Sequence, residues 1–129
     1  ISFYLNLDNT IPKLFIDKTL IRQALTNILQ NSIDAVGSSG NIYVKSEYIK
    51  DRRIASVSIK DDGQGIEAEN LEKIFDPTFS TKESGTGLGL AIVEKIVLEH
   101  NARIFCFSEK GAGAEIVIEF PVLEEEMSG

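Results

Sequence analysis

Two pairs of strand-like segments in this chain are each joined by a short turn, and in one member of each pair apolar and polar side chains alternate with a period of two. In Ile54 to Asp61, Val57 and Ile59 alternate with Ser58 and Lys60, and Asn41 to Lys50 precedes that segment across Asp51-Arg52-Arg53. Ala102 to Ser108 and Ala114 to Phe120 flank the turn Lys110-Gly111-Ala112-Gly113. In the last segment Ala114, Ile116, Ile118 and Phe120 share one face, with Glu115 and Glu119 on the other. This pattern describes hairpins with one buried and one wet face. The buried faces need a covering layer, and the rest of the chain supplies it as helices.

Asp17 is placed to cap a helix running to about Val36, which Gly37-Ser38-Ser39-Gly40 ends. A second long helix runs from about Gly87 to His100. A short one, about Glu69 to Phe75, stops before Pro77. Ser2 to Leu7 is rich in strand formers, and Pro12 interrupts the chain before Lys13 to Ile16. The expected fold is an α/β (α+β) two-layer sandwich. Its mixed, mostly antiparallel sheet of about five strands is covered on one face by about three helices. Residues 1–122 are expected to form one domain, and residues 123–129, with Glu124-Glu125-Glu126, a flexible acidic tail.

Composition narrows the function. At 129 residues, 43% hydrophobic and 26% charged, the chain has the make-up of one globular domain. Charged residues interrupt every apolar stretch short of the roughly 20 residues a bilayer span needs, so no direct membrane contact is expected. A net charge of −7 argues against nucleic acid as a partner. One cysteine, Cys106, and one histidine, His100, exclude transition-metal clusters and Cys–His catalysis. Cys106 lies in Ile104-Phe105-Cys106-Phe107 and reads as a small core residue. His100, in the last turn of a helix before Asn101, reads as part of a helix cap.

Three motifs carry chemistry. On the first long helix, Ile21, Leu25, Ile28, Leu29, Ser32 and Val36 make the core face. Gln23, Asn27, Asn31 and Asp34 lie opposite within roughly 90°. A merely solvated face would carry Lys and Glu, which favour helices more than Asn does; oxygen donors for a hard cation explain the asparagines better. Second, Asp61-Asp62-Gly63-Gln64-Gly65-Ile66 follows a strand. Its glycines allow a close approach of backbone to a flat ligand, and its carboxylate can accept from a purine amine. Third, Gly85-Thr86-Gly87-Leu88-Gly89-Leu90 opens a helix with free backbone N–H groups, a site for anions. Phe75-Asp76-Pro77-Thr78-Phe79-Ser80-Thr81-Lys82 lies just upstream.

In this order, the motifs resemble those of the GHKL (Bergerat-fold) ATP-binding domains, and most closely the catalytic domain of two-component sensor histidine kinases. Asn27-Ile28-Leu29-Gln30-Asn31-Ser32 looks like the asparagine box and Asp61-x-Gly63-x-Gly65 like the first glycine box. Phe75 to Phe79 resembles the phenylalanine box, and Gly85 to Leu90 the second glycine box. The Phe-Asp-Pro-x-Phe-Ser-Thr-Lys run with its short lid resembles the nitrogen-regulation branch.

The resemblance implies ATP and Mg²⁺ as cofactors. Asp61 would hold the adenine amine, with Gly65 and Ile66 lining the base pocket beside Gly63. Asn31 would ligate Mg²⁺, with Asn27 near the phosphates. Phe75 to Gly85 would form the lid, and Thr86, Gly87, Leu88 and Gly89 would cradle phosphate. The γ-phosphoryl group would pass to a histidine on a separate dimerisation domain of the same parent kinase, with a response regulator downstream. Such a domain, monomeric when isolated, would be the cytoplasmic part of a membrane-bound sensor.

Two departures stand out. Where many histidine kinases have Lys or Arg, three residues after the metal asparagine, this chain has Asp34, which leaves Lys82 as the candidate phosphate cation. Where a threonine commonly follows the last glycine pair, this chain has Ala114. The alternatives are a gyrase- or mismatch-repair-like ATPase module and a nucleotide sensor without catalysis. The ATPases place a water-activating glutamate where this chain has Asn27.

Overall fold

The computed structural model describes residues 1–71, 73–76 and 88–122. Five strands, β1 (Ser2–Asn6), β2 (Asn41–Ile49), β3 (Ile54–Asp61), β4 (Arg103–Ser108) and β5 (Ala114–Pro121), form one sheet in the order β1-β2-β3-β5-β4. β1 runs parallel to β2, and the other pairs are antiparallel. The helices α1 (Lys18–Val36) and α2 (Leu88–Glu99) cover one face. The expected mixed two-layer sandwich is therefore present.

Sequence alternation fixes which sheet face meets the helices. Ile42, Ala55, Ile59, Ile116, Ile118 and Phe120 are buried against Ile21, Ala24 and Ile28 of α1 and Val93, Ile96 and Val97 of α2. Ala24 belongs to this interface although it is absent from the expected core face; its small side chain lets the helix approach closely. Each fully buried Ile or Val contributes about 1.5–3 kcal/mol by leaving water. The opposite sheet face is polar, with Ser58 donating to Glu115 and Arg52 paired with Glu119 at 3.2 Å. β1 is exposed along its whole length, with Tyr4 stacked on Tyr43 at 5.1 Å between ring centroids.

Local chemistry sets the helix ends. Asp17 caps α1 as expected, its Oδ1 accepting from the amides of Thr19 at 3.0 Å and Leu20 at 3.1 Å. Such a cap contributes about 1 kcal/mol. Gly37 ends the helix at φ 69°, a left-handed conformation that glycine adopts without strain. Asn101 does the same after α2 at φ 57°. Cys106 is half-buried against the core, and that burial pushes its thiol up to about 11, so it stays protonated.

The third helix is a correction. Ala68–Asn70 is a 3₁₀ turn, followed by further three-residue steps from Lys73 N–H to Asn70 carbonyl and from Asp76 N–H to Lys73 carbonyl. Nucleating an α-helix fixes several residues for one bond, and Pro77 disfavours helical backbone at Asp76, so so short a segment settles for tighter turns. Ile74 is buried and anchors it. The expected acidic tail, 123–129, lies outside the described residues.

Candidate active site

β3 and α1 build the centre of the site. Asp61 ends β3 facing inward and is only 4% exposed, as is Ser32 on the sheet-facing side of α1. These are the two buried polar side chains among the described residues, and they meet. The Asp61 carboxylate accepts from Gly63 N–H at 2.9 Å, from Ala114 N–H and from the Ser32 hydroxyl. Burial drives its pKa above the ordinary 3.8, and Asp62 adds repulsion; the three donors oppose both. Ala114, the departure from the usual threonine, thus still reaches Asp61 through its backbone. Ser32 ends the asparagine box and reads from the sequence as a core-facing residue; its bond to Asp61 has no signal there.

The two aspartates divide the work. Asp62 turns the other way, its carboxylate taking Asn41 N–H and Asn41 Nδ2, each at 2.8 Å, which ties the start of β2 to the end of β3. Those bonds hold its carboxyl below the usual range. Gly63 and Gly65 are required by the chain itself. A Cβ on Gly63 would lie 2.6 Å from the Ala35 carbonyl in the last turn of α1. At Gly65 (φ 76°) it would strike the Glu109 carbonyl in the β4–β5 turn. Ile66 is pinned by its N–H to Ser108 Oγ at 2.7 Å, and Ser108 donates on to the Gly113 carbonyl at 2.8 Å. Ser108 gave no signal in the sequence, because its role depends on the pairing of distant loops.

Asn27 and Asn31 lie half-buried on α1, and Asn31 immediately precedes the Ser32 whose hydroxyl donates to Asp61. Asp34 is exposed on the same helix, and its carboxylate accepts from Gln30 Nε2 at 3.2 Å. Leu88 and Gly89 are the first residues of α2. Phe75 is half-buried and lines an open groove of about 470 Å³ with Ala91, Glu94, Lys95, Leu98 and Glu99 of α2. Lys82, Thr86 and Gly87 lie outside the described residues. Among the described residues no three His, Cys, Asp or Glu side chains come together to hold a metal. The asparagine amide oxygens are hard, neutral donors of the kind that supplements phosphate oxygens and water around Mg²⁺.

A buried carboxylate on a strand end, joined through a hydroxyl to an asparagine-bearing helix, marks the candidate site of this α/β sandwich. Residues 16–124 match the family of histidine kinase-, DNA gyrase B- and HSP90-like ATPases. The chain is 38% identical over 122 residues to the signal transduction histidine-protein kinase AtoS of Escherichia coli, covering 95% of this chain and 20% of AtoS. The catalytic domain of histidine kinase ThkA superposes with a TM-score of 0.82 at 37% identity, covering 93% of this chain and 78% of that one. ThkA has also been solved in complex with the response regulator protein TrrA, at 34% identity and a TM-score of 0.77, over 96% of this chain and 35% of that one. The chain belongs to this ATPase family, and within it to the catalytic, ATP-binding domains of two-component sensor histidine kinases. It spans about a fifth of AtoS. Among the described residues no helix is long and apolar enough to cross a membrane.

The raised pKa of Asp61 sets a pH signature. An ionised carboxylate is needed to accept from an amine, so its advantage is present above its folded pKa and lost as pH falls through it. Asp61→Asn should bind ATP about tenfold more weakly than wild type at neutral pH, the worth of one charge-assisted hydrogen bond. The gap should close on acidification, beginning above the ordinary carboxylate range. A ratio that is constant with pH would remove Asp61 from the base pocket.

Proposed function

We propose that this domain binds Mg-ATP between α1, the end of β3 and the start of α2, and transfers its γ-phosphoryl group to a histidine on a separate dimerising helical domain of the parent kinase. The observation that carries this reading is the Asp61 carboxylate, buried yet held by three donors, one of them Ser32 of the asparagine-bearing helix α1. Asp61 takes the adenine amine, and Gly63, Gly65 and Ile66 shape the base pocket. Asn31 ligates the metal through its amide oxygen, and Asn27 borders the phosphates. Thr86, Gly87, Leu88 and Gly89 offer backbone N–H groups to the phosphate chain, and Lys82 supplies the cation that Asp34 does not. When bound, Mg²⁺ neutralises the phosphate charge that develops during transfer.

Phosphoryl transfer asks a protein mainly for positioning and charge neutralisation, which asparagine, glycine and lysine provide. Hydrolysis asks in addition for a base at the water, and Asn27 cannot act as one. That favours a kinase over the gyrase-like module. Both ring nitrogens of His100 are engaged in the fold, so it is not the acceptor. The downstream partner is a response regulator, as TrrA is for ThkA, and the domain works on the cytoplasmic side of a sensor. The Phe75 to Lys82 run supports the nitrogen-regulation branch.

Two experiments test this reading. Asn31→Ala should weaken ATP binding at least tenfold in magnesium but change it little in EDTA; equal losses in both would make Asn31 a packing residue. Incubated with γ-labelled ATP, the domain alone should neither label itself nor hydrolyse ATP quickly. Given the parent kinase's histidine hairpin, it should label that hairpin with an acid-labile bond, and Asp61→Ala should abolish the label. Acid-stable label, or label on His100, would contradict the assignment.

A further inference from the structure

His100 lies at the junction of the two helices. Its Nε2 sits 3.0 Å from the Asp17 backbone nitrogen, the N-cap of α1, and its Nδ1 sits 2.8 Å from the Ile96 carbonyl in the last turn of α2. The partners dictate the tautomer: a backbone N–H can only donate, so Nε2 accepts, and the single proton is on Nδ1, donating to Ile96. The ring is therefore a two-sided link, and it works only when neutral. A second proton would set two N–H groups against each other and place positive charge at the positive end of α1.

The link is a common origin for both walls of the nucleotide site. At 1.5 Å per residue, Asn27 and Asn31 stand about 15 and 21 Å along α1 from Asp17, and Gly89 stands about 17 Å back along α2 from His100. A slip between the two helices at this end shifts the asparagine face relative to the glycine-rich helix start by a similar amount. We propose that His100 is a positioning residue for the nucleotide site, fixing the start of α1 to the end of α2 through its neutral imidazole. The proposal rests on the Mg-ATP reading above. Charged groups on the elements it joins are the cap Asp17 with Lys18, Arg22 and Asp34 on α1, Glu94, Lys95 and Glu99 on α2, and Arg103 at the start of β4. The Asp17 carboxylate is already committed to the Thr19 and Leu20 amides.

The test compares the whole 129-residue chain with its His100→Gln and His100→Ala variants. Mg-ATP affinity is measured by calorimetry between about pH 8 and pH 5.5. Amide exchange at Asp17 to Leu20 is followed in parallel. Glutamine keeps an acceptor in reach of the Asp17 amide but has no ring to protonate. Wild type should lose about fivefold more affinity on acidification than His100→Gln, the worth of one hydrogen bond; any loss from Asp61 is common to both. His100→Ala should be weak at both ends of the range, with faster exchange at Asp17.

Identical pH curves for wild type and His100→Gln would overturn the proposal. So would wild-type affinity in His100→Ala at pH 8, since loosened exchange alone would then mark a cap without influence on the site. Should the alanine variant fail to fold, the glutamine curve decides. A wild-type chain that does not bind Mg-ATP at pH 8 overturns the nucleotide-site reading itself, and the exchange data still report on the link.

Discussion

A carboxylate that is 4% exposed at the end of β3 is the constraint around which this domain is arranged. Desolvation opposes its ionisation, and the fold answers with three hydrogen-bond donors drawn from three elements: Gly63 after β3, Ala114 at the start of β5 and Ser32 on α1. The balance still leaves its pKa raised. An acid whose pKa is raised by folding makes the fold less stable when ionised, and that cost is relieved as pH falls. A purely structural residue at this position would be apolar. Retaining a charge there makes sense when a ligand supplies a further donor.

The surroundings of Asp61 follow from the need to bring those donors in. α1 has to pack close enough for Ser32 to reach the strand end, which Ala24 permits on the core side and Gly63 permits under Ala35. The β4–β5 turn has to fold over the Gly65 loop, which the absence of a Cβ at Gly65 permits and the Ser108 hydroxyl enforces. Asp62 fixes the strand ends from outside through Asn41. Close approach of backbone here serves the chain's own packing as much as a flat ligand.

Much of this was legible in the sequence because it is local. The Asp17 cap, the Gly37 stop and the alternation in β3 and β5 depend on neighbours within a few residues, and each is found where expected. The first glycine box was legible as a place where backbone comes close, whereas most of the second, Gly85 to Leu90, lies outside the described residues. What escaped detection is non-local. The contacts Ser32–Asp61, Ser108–Ile66 and His100–Asp17 join residues 29, 42 and 83 positions apart, and no period or composition marks them. The segment after Gly65 escaped for another reason, since its helical propensity is outweighed by its shortness and by Pro77.

The most direct test of Asp61 as the base reader is a competition titration of ATP against GTP on the wild-type domain. Adenine presents an amine to the carboxylate, and guanine presents a carbonyl oxygen at the same place. A buried carboxylate facing an acceptor forfeits a charge-assisted hydrogen bond of about 1.5–3 kcal/mol, a factor of roughly ten to a hundred. ATP should therefore displace GTP by at least tenfold, whereas comparable affinities would show that Asp61 does not read the base.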